Sequence, residues 1–212
     1  MAVYNGPKCR LCRREGMKLY LKGERCHTNK CAITKRGDNY PPGMQGWKRP
    51  RKPSEYGMQL REKQRLKRMY GLLERQFRRM FSLAQKTRGN TGEVLLQLMD
   101  RRLDNVVRAS GLAYGPASAR QMVTHGLVYV NGRKVNVPSI LVKTGDVVSV
   151  HPRERTQSLV KGIVESAKVY QSVPGWLERD DGNLTVKVLN LPTREEFPLQ
   201  IREQLIVEGC SK

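Results

Sequence analysis

The sequence predicts an α+β fold in three parts: a cysteine-bearing N-terminal knuckle with a basic arm, a helical domain, and a small inserted α/β module of two helices plus a β-hairpin and further antiparallel strands. Three observations predict it. Four cysteines fall within residues 9–31, apolar residues recur at helical spacing from 54 to 110, and Asn131-Gly132 separates two short alternating runs. The expected division is 1–45, then 46–92 completed by 175–212, with 93–174 inserted between them.

The knuckle follows from Cys9, Cys12, Cys26 and Cys31, which read C-x2-C, a gap of 13, then C-x4-C. Two close pairs joined by a short loop let four thiolates converge tetrahedrally on one structural Zn(II), leaving no open position for catalysis. Two disulfides or an iron-sulfur cluster are the alternatives, and the lack of a secretion signal argues against an oxidising compartment. His27 could stand in for Cys26, but four thiolates already complete the shell; Cys210 is an ordinary thiol with no partner nearby in sequence. Residues 1–45 hold too few apolar groups to fold by burial alone, so metal substitutes for core.

The next stretch, "KRGDNYPPGMQGWKRPRKPSEYG", carries four prolines and four glycines and predicts an extended basic arm that orders on its partner. Tyr40 and Trp47 in it could stack on bases or simply pack. From Ser54, Leu60, Leu66, Met69, Leu72, Leu73, Phe77, Met80, Phe81 and Ala84 predict two helices, broken near Tyr70-Gly71 and closed at Gly89. Each has an apolar stripe and a basic face, with Glu55, Glu62 and Glu74 offering some internal pairing. Residues 91–110 predict a third helix, capped by Thr91 and stopped by Gly111. A short helix follows from Pro116 to Gly126.

Asn131-Gly132 is the signature of a two-residue type I′ hairpin, since both positions need positive φ. A second strand pair is expected from "ILV", the Thr144-Gly145-Asp146 turn and "VVSV". Beyond 153, "LVKGIVESAKVY" predicts a helix ended by Pro174-Gly175, and "LTVKVLNL" a strand before the final "IREQLIVEGCSK".

Charge points to the partner. Forty Lys and Arg stand against 19 Asp and Glu, a net +21. Residues 1–100 hold 24 basic and 8 acidic groups, whereas residues 153–212 hold 9 of each. A surplus placed this way repels itself in the compact state and fits a polyanion whose counterions are released on binding. A membrane surface would want an amphipathic basic helix or a lipidation site, and no apolar run approaches the roughly 18 residues that span a bilayer. The N-terminus lacks a secretion signal, so a soluble, unprocessed chain is expected.

"LMDRRLDNVVRASGLA", "ARQMVTHGLVYVNGRKVNVPS" and "VKTGDVVSV" together resemble the RNA-binding module of the small-subunit ribosomal protein uS4 family. "YPPGMQG", "LREKQRLKRMYGLLERQF" and "REQLIVE" resemble that family's other segments in order, and the four cysteines its zinc-bearing bacterial branch. The resemblance implies a structural constituent of the small ribosomal subunit that binds the 5′ domain of 16S rRNA and nucleates the 30S body. It further implies a place beside the uS5 and uS3 side where mRNA enters, an effect on decoding accuracy, and in some bacteria repression of its own operon. The expected location is the cytoplasm, within the subunit, with no membrane and no small-molecule substrate.

The candidate RNA-binding residues are Lys8, Arg10, Arg13, Arg14, Lys22, Arg25, Lys30, Lys35 and Arg36 on the knuckle, and Lys48, Arg49, Arg51 and Lys52 on the arm. The first long helix adds Arg61, Lys63, Arg65, Lys67 and Arg68, and the module adds Arg101, Arg120, Gln121, His125, Asn131, Arg133 and Lys134. They would meet phosphates and 2′-hydroxyls by shape. Gly115-Pro116 stands where the family has a hydroxyl residue and an arginine, and Leu127 where it often has a second histidine, so no contact is expected at those three.

Two competing functions are weaker. "RLD" at 102–104 with "SG" at 110–111 resembles the catalytic loop of pseudouridine synthases that carry the same module. That loop wants Ser-Gly almost directly after the aspartate, whereas Asp104 is expected mid-helix, at the surface, pairing with Arg101 or Arg108. No Walker-type loop, triad or paired acids appear, so no catalytic residue is expected. A zinc-knuckle DNA regulator would want a recognition helix after the metal site, and a proline-rich arm follows instead.

Overall fold

In the computed structural model, which describes residues 3–36, 40–48, 52–197 and 201–211, with the Arg36 side chain left aside, Pro7 opens α1 (Lys8–Glu15) and Gly16 at φ +69° closes it. A 3-10 turn over Gly23–Cys26 and the short α2 (Ala32–Arg36) follow. Ser54 caps α3 (Glu55–Met69) by accepting the Gly57 N–H at 3.2 Å, satisfying one of the orphan donors of the first turn. Gly71 at φ +63° then ends this helix and lets the chain turn into α4 (Glu74–Lys86).

The remaining elements are α5 (Thr91–Asp100), α6 (Leu103–Ala109), α7 (Pro116–Thr124), β1 (Val128–Val130), β2 (Arg133–Val135), β3 (Val147–Val150), α8 (Glu154–Lys168), β4 (Leu177–Asp180), β5 (Thr185–Val188) and α9 (Glu203–Ser211). They form two units. One comprises Met1–Leu21, Arg25–Leu95 and Leu199–Lys212; the other Lys22–Glu24 and Leu96–Pro198.

In the first unit α9 packs along α3, and α1 packs on α2 and α3. Leu66, Met69, Phe77, Phe81 and Ala84, which the helical periodicity places on one face, are buried, as is Ile206 of α9. In the second unit an antiparallel sheet in the order β2-β1-β3-β5-β4 packs against helices. Its core joins Leu103, Val106 and Val107 of α6, Ala119 and Val123 of α7, Val128 and Val148 of the sheet, and Val160 and Val164 of α8. Asn131 and Gly132 take φ +50° and +76°, as a type I′ turn requires, with Val130 paired to Arg133.

The sequence and the structure differ in several places. Residues 91–110 form two helices. At Arg102 the backbone turns extended (φ −65°, ψ 136°), and the Leu103 N–H donates to the Ile140 carbonyl at 2.9 Å. "ILV" supplies that pairing instead of a full strand, forming only an isolated bridge between Arg102 and Leu141. Asn90, not Thr91, caps α5: its Oδ1 accepts the Gly92 N–H at 3.0 Å. Residues 177–188, expected with the helical domain, extend the module's sheet as β4 and β5. Residues 40–48 are not extended but turn back twice, through Gly46 N–H to Gly43 O and Lys48 N–H to Gln45 O.

Phe77 has no exposed surface. Phe77→Ala is expected to cost the first unit about 3–5 kcal/mol. Hydrogen exchange should show lost protection in α3 and α4 and unchanged protection in β1, β3 and β5.

Candidate RNA interface and metal centre

All five cysteines are thiols, with no disulfide among them. Cys12, Cys26 and Cys31 are buried, and Cys9 is half-buried on the same helix as Cys12. Burial pushes the Cys12 thiol up; against the Leu19 backbone hydrogen bond, the nearby Cys26, Cys9 and Cys31 raise it further, so the four sulfurs share one neighbourhood. Cys31 moves the other way. Burial would raise it, but the Ile33 and Thr34 amides, the Lys18 charge and the Thr34 hydroxyl together lower it. Among the described residues no group of three or more His, Cys, Asp or Glu side chains is set to hold a metal ion. Four soft thiols of one region are the donor type that a structural zinc ion takes. The knuckle's own apolar cluster is small, Cys12, Leu19 and Leu21 with Leu11, Met17 and Ile33 against it. His27 instead stacks on Tyr20, ring centroids 4.9 Å apart.

The basic candidates divide into outward and inward groups. Arg10, Arg14, Lys22, Arg25, Lys30 and Lys35 are exposed on the knuckle, and Lys48 and Lys52 are exposed on the arm. The Lys8 ammonium donates to the Tyr4 carbonyl, and Arg13 Nε donates to the Tyr40 carbonyl at 3.2 Å, tying the arm to α1. Arg49, Arg51 and the side chain of Arg36 lie outside the described residues.

The cations of α3 are the surprise of this surface. Arg61 and Arg68 both meet the carboxylate of Glu15, whose side chain is 1% exposed. Lys63 and Lys67 both meet Glu74, at 3.0 and 2.6 Å, and Arg65 meets Glu62 at 2.5 Å. The dense basic face expected from sequence is therefore largely an internal ion-pair network. On α4, Arg75, Arg79 and Lys86 are exposed opposite the buried Phe77–Met80–Phe81 stripe. Sequence reasoning passed them over, although their position off the apolar stripe was the available signal.

In the module, Asp104 is not a mid-helix surface residue. It sits in the first turn of α6, buried, with its carboxylate accepting from Arg102 Nε and Nη2 at 3.1 Å and from Arg120 Nη1 at 2.9 Å. Arg101 Nε donates to the Val142 carbonyl at 2.9 Å. Arg101 and Arg120 thus brace the fold. The Asn131 amide does likewise: its Nδ2 donates to Asp146 and its Oδ1 accepts the Val147 N–H, both at 2.9 Å. What remains outward is Gln121 and His125 at the end of α7 and Arg133 and Lys134 on the hairpin. The two elements meet, because a Cβ at Gly126 would lie 2.3 Å from Lys134 Cε. Exposed cations and hydrogen-bonding groups brought side by side in this way suit phosphate and ribose contacts. No helix among the described residues is long and apolar enough to cross a membrane.

Residues 3–100 match the family described as ribosomal protein S4/S9 N-terminal domain, and residues 101–148 match the S4 domain. The chain is 55% identical to the small ribosomal subunit protein uS4 of Caldicellulosiruptor bescii. It is 53% identical to that of Thermoanaerobacter sp. strain X514 and 52% to that of Clostridioides difficile strain 630. Each alignment covers 100% of both chains.

Two outcomes follow from these ion pairs. Asp104→Asn leaves the buried Arg102 and the part-buried Arg120 without their shared carboxylate and is expected to cost the second unit about 3 kcal/mol. Urea unfolding followed through the buried Trp176 measures it. Glu74 is held down to about 2, burial opposing but Lys67, Lys63 and Arg78 outweighing it. Because its folded pKa lies below the ordinary 4.5, its contribution is present above that value and is lost as pH falls towards 2. The thermal stabilities of the parent and Glu74→Gln should differ at pH 6 and converge near pH 2.

Proposed function

Because this chain belongs to the uS4 family of small ribosomal subunit proteins, we propose that it is a primary rRNA-binding protein that engages the 5′ domain of 16S rRNA and nucleates the body of the subunit. Its role in the ribosome is structural and RNA-binding; it is not an enzyme, and its place is the small subunit in the cytoplasm. The observation that carries the finer reading is the split among its cations. Those near a carboxylate are consumed inside the fold, while Arg10, Arg14, Arg25, Lys30 and Lys35 on the knuckle and His125, Arg133 and Lys134 on the module face outward. Phosphate supplies the charge that the protein's own acids do not.

Cys9, Cys12, Cys26 and Cys31 hold one structural zinc ion in this reading, which replaces the core that the knuckle lacks. Such ions contribute on the order of 10–16 kcal/mol in small finger peptides. The support is the grouping of four thiols around Cys12 beside so small an apolar cluster. The neighbours are the ribosomal proteins on the uS5 and uS3 side, next to where mRNA enters, and from there the protein influences decoding accuracy. Repression of its own message belongs to the same reading, since a message that mimics the rRNA site would compete for the same surface.

Nuclease footprinting of the zinc-loaded protein on naked small-subunit rRNA at about 0.3 M salt tests the proposal, because nonspecific phosphate contacts weaken there. Compact protection in the 5′ domain is expected, and diffuse protection would contradict it. Cys9→Ser should raise hydrogen exchange across residues 8–35 and weaken the footprint while the module's amides stay protected. An unchanged footprint would remove zinc from the binding function.

A further inference from the structure

The tight turn at 43–48 holds an indole in an unusual setting. Trp47 is 68% exposed, although tryptophan is normally among the more buried side chains. It is nevertheless fixed: its Nε1–H donates to the Met44 carbonyl at 3.0 Å. The turn itself is tight, since a Cβ at Gly46 would lie 2.1 Å from the Pro41 carbonyl oxygen. Arg13 anchors the start of this segment to α1 through the Tyr40 carbonyl. The Lys48 ammonium lies over one face of the Trp47 ring, 5.9 Å from its centre. From Asn39 to Ser54 the sequence contains Lys48, Arg49, Arg51 and Lys52 and no acidic residue.

We propose that Trp47 is a preorganised stacking platform for an unpaired nucleobase of the rRNA, taken on the ring face away from Lys48, whose ammonium meets an adjoining phosphate. This deepens the rRNA-binding reading and rests on it. An aromatic face left open, pinned at its edge and flanked by cations is what sequence-tolerant stacking on single-stranded RNA uses. A ring meant for the protein's own core would be covered, and it is not. A ring meant for a neighbouring protein would sit in a segment of mixed charge, whereas this one is uniformly basic, which favours a polyanion.

The chain has two tryptophans, and the other, Trp176, is 3% exposed, so emission reports the site directly. The full-length, zinc-loaded protein is titrated with naked small-subunit rRNA at about 0.3 M salt. Trp47 emission should be quenched at saturation, and Trp47→Phe should lose the quenched component while binding within about twofold of the parent, since a phenyl face still stacks. Trp47→Ala should bind about tenfold more weakly. Parental affinity in Trp47→Ala, or binding without quenching, would overturn the stacking role and leave rRNA binding standing. Emission that changes only when other small-subunit proteins are added would overturn it in favour of a protein contact. If the parent itself fails to bind, the rRNA-binding reading falls and takes this inference with it.

Discussion

Glu15, Glu74, Asp104 and Asp181 each hold two or more cations, and this sharing is the constraint on which the rest of the molecule depends. With 40 basic and 19 acidic residues, carboxylates are scarce, and these four each serve more than one cation. Glu15 lies at the end of α1 and takes Arg61 and Arg68 of α3, so it fastens the knuckle to the helical part of its own unit. Asp104 takes Arg102 and Arg120 and locks the start of α6 to α7. A buried carboxylate between two guanidinium groups offsets their desolvation only while all three are present. Arg10, Arg14, Arg25, Lys30 and Lys35 on the knuckle and Arg133 and Lys134 on the module, by contrast, are exposed and open to another source of negative charge.

That division explains how a basic chain both folds and binds RNA. The inward ion pairs orient helices, and the outward cations are carried on elements that those pairs hold still. On the module, the hairpin and the end of α7 are brought together where the Lys134 side chain crosses Gly126, while Asn131 fastens the turn to β3. On the knuckle, Arg13 carries the same rigidity into the turn that displays Trp47. Binding then needs little rearrangement of the protein, and more of the phosphate attraction appears as affinity.

Local chemistry made much of the fold legible in the sequence. Asn131-Gly132, Gly71 and Pro116 mark their turns because each solves a backbone problem at its own position, and the apolar stripes of α3 and α4 follow from the helical period. The break between α5 and α6 was hidden, because Leu98, Met99, Leu103 and Val106 continue one helical stripe across it. It is imposed from a distance, by the Arg102–Leu141 bridge and the Leu103 to Ile140 hydrogen bond. β4 was hidden because "LERD" is mostly polar, as an edge strand with one wet face is. In the candidate surface, composition showed which residues were cationic but not which were consumed. Glu15 meets Arg61 and Arg68 across 46 and 53 residues of chain, a pairing no local pattern reveals.

The measurement that bears most directly on phosphate as the missing counter-charge is the salt dependence of binding to naked small-subunit rRNA by the full-length chain. If the outward cations meet phosphates, the logarithm of the binding constant should fall linearly with the logarithm of salt concentration, with a slope of about −4 or steeper for six or more contacts. A slope near zero would contradict it, because the surplus charge would then be answered within the protein and not by RNA.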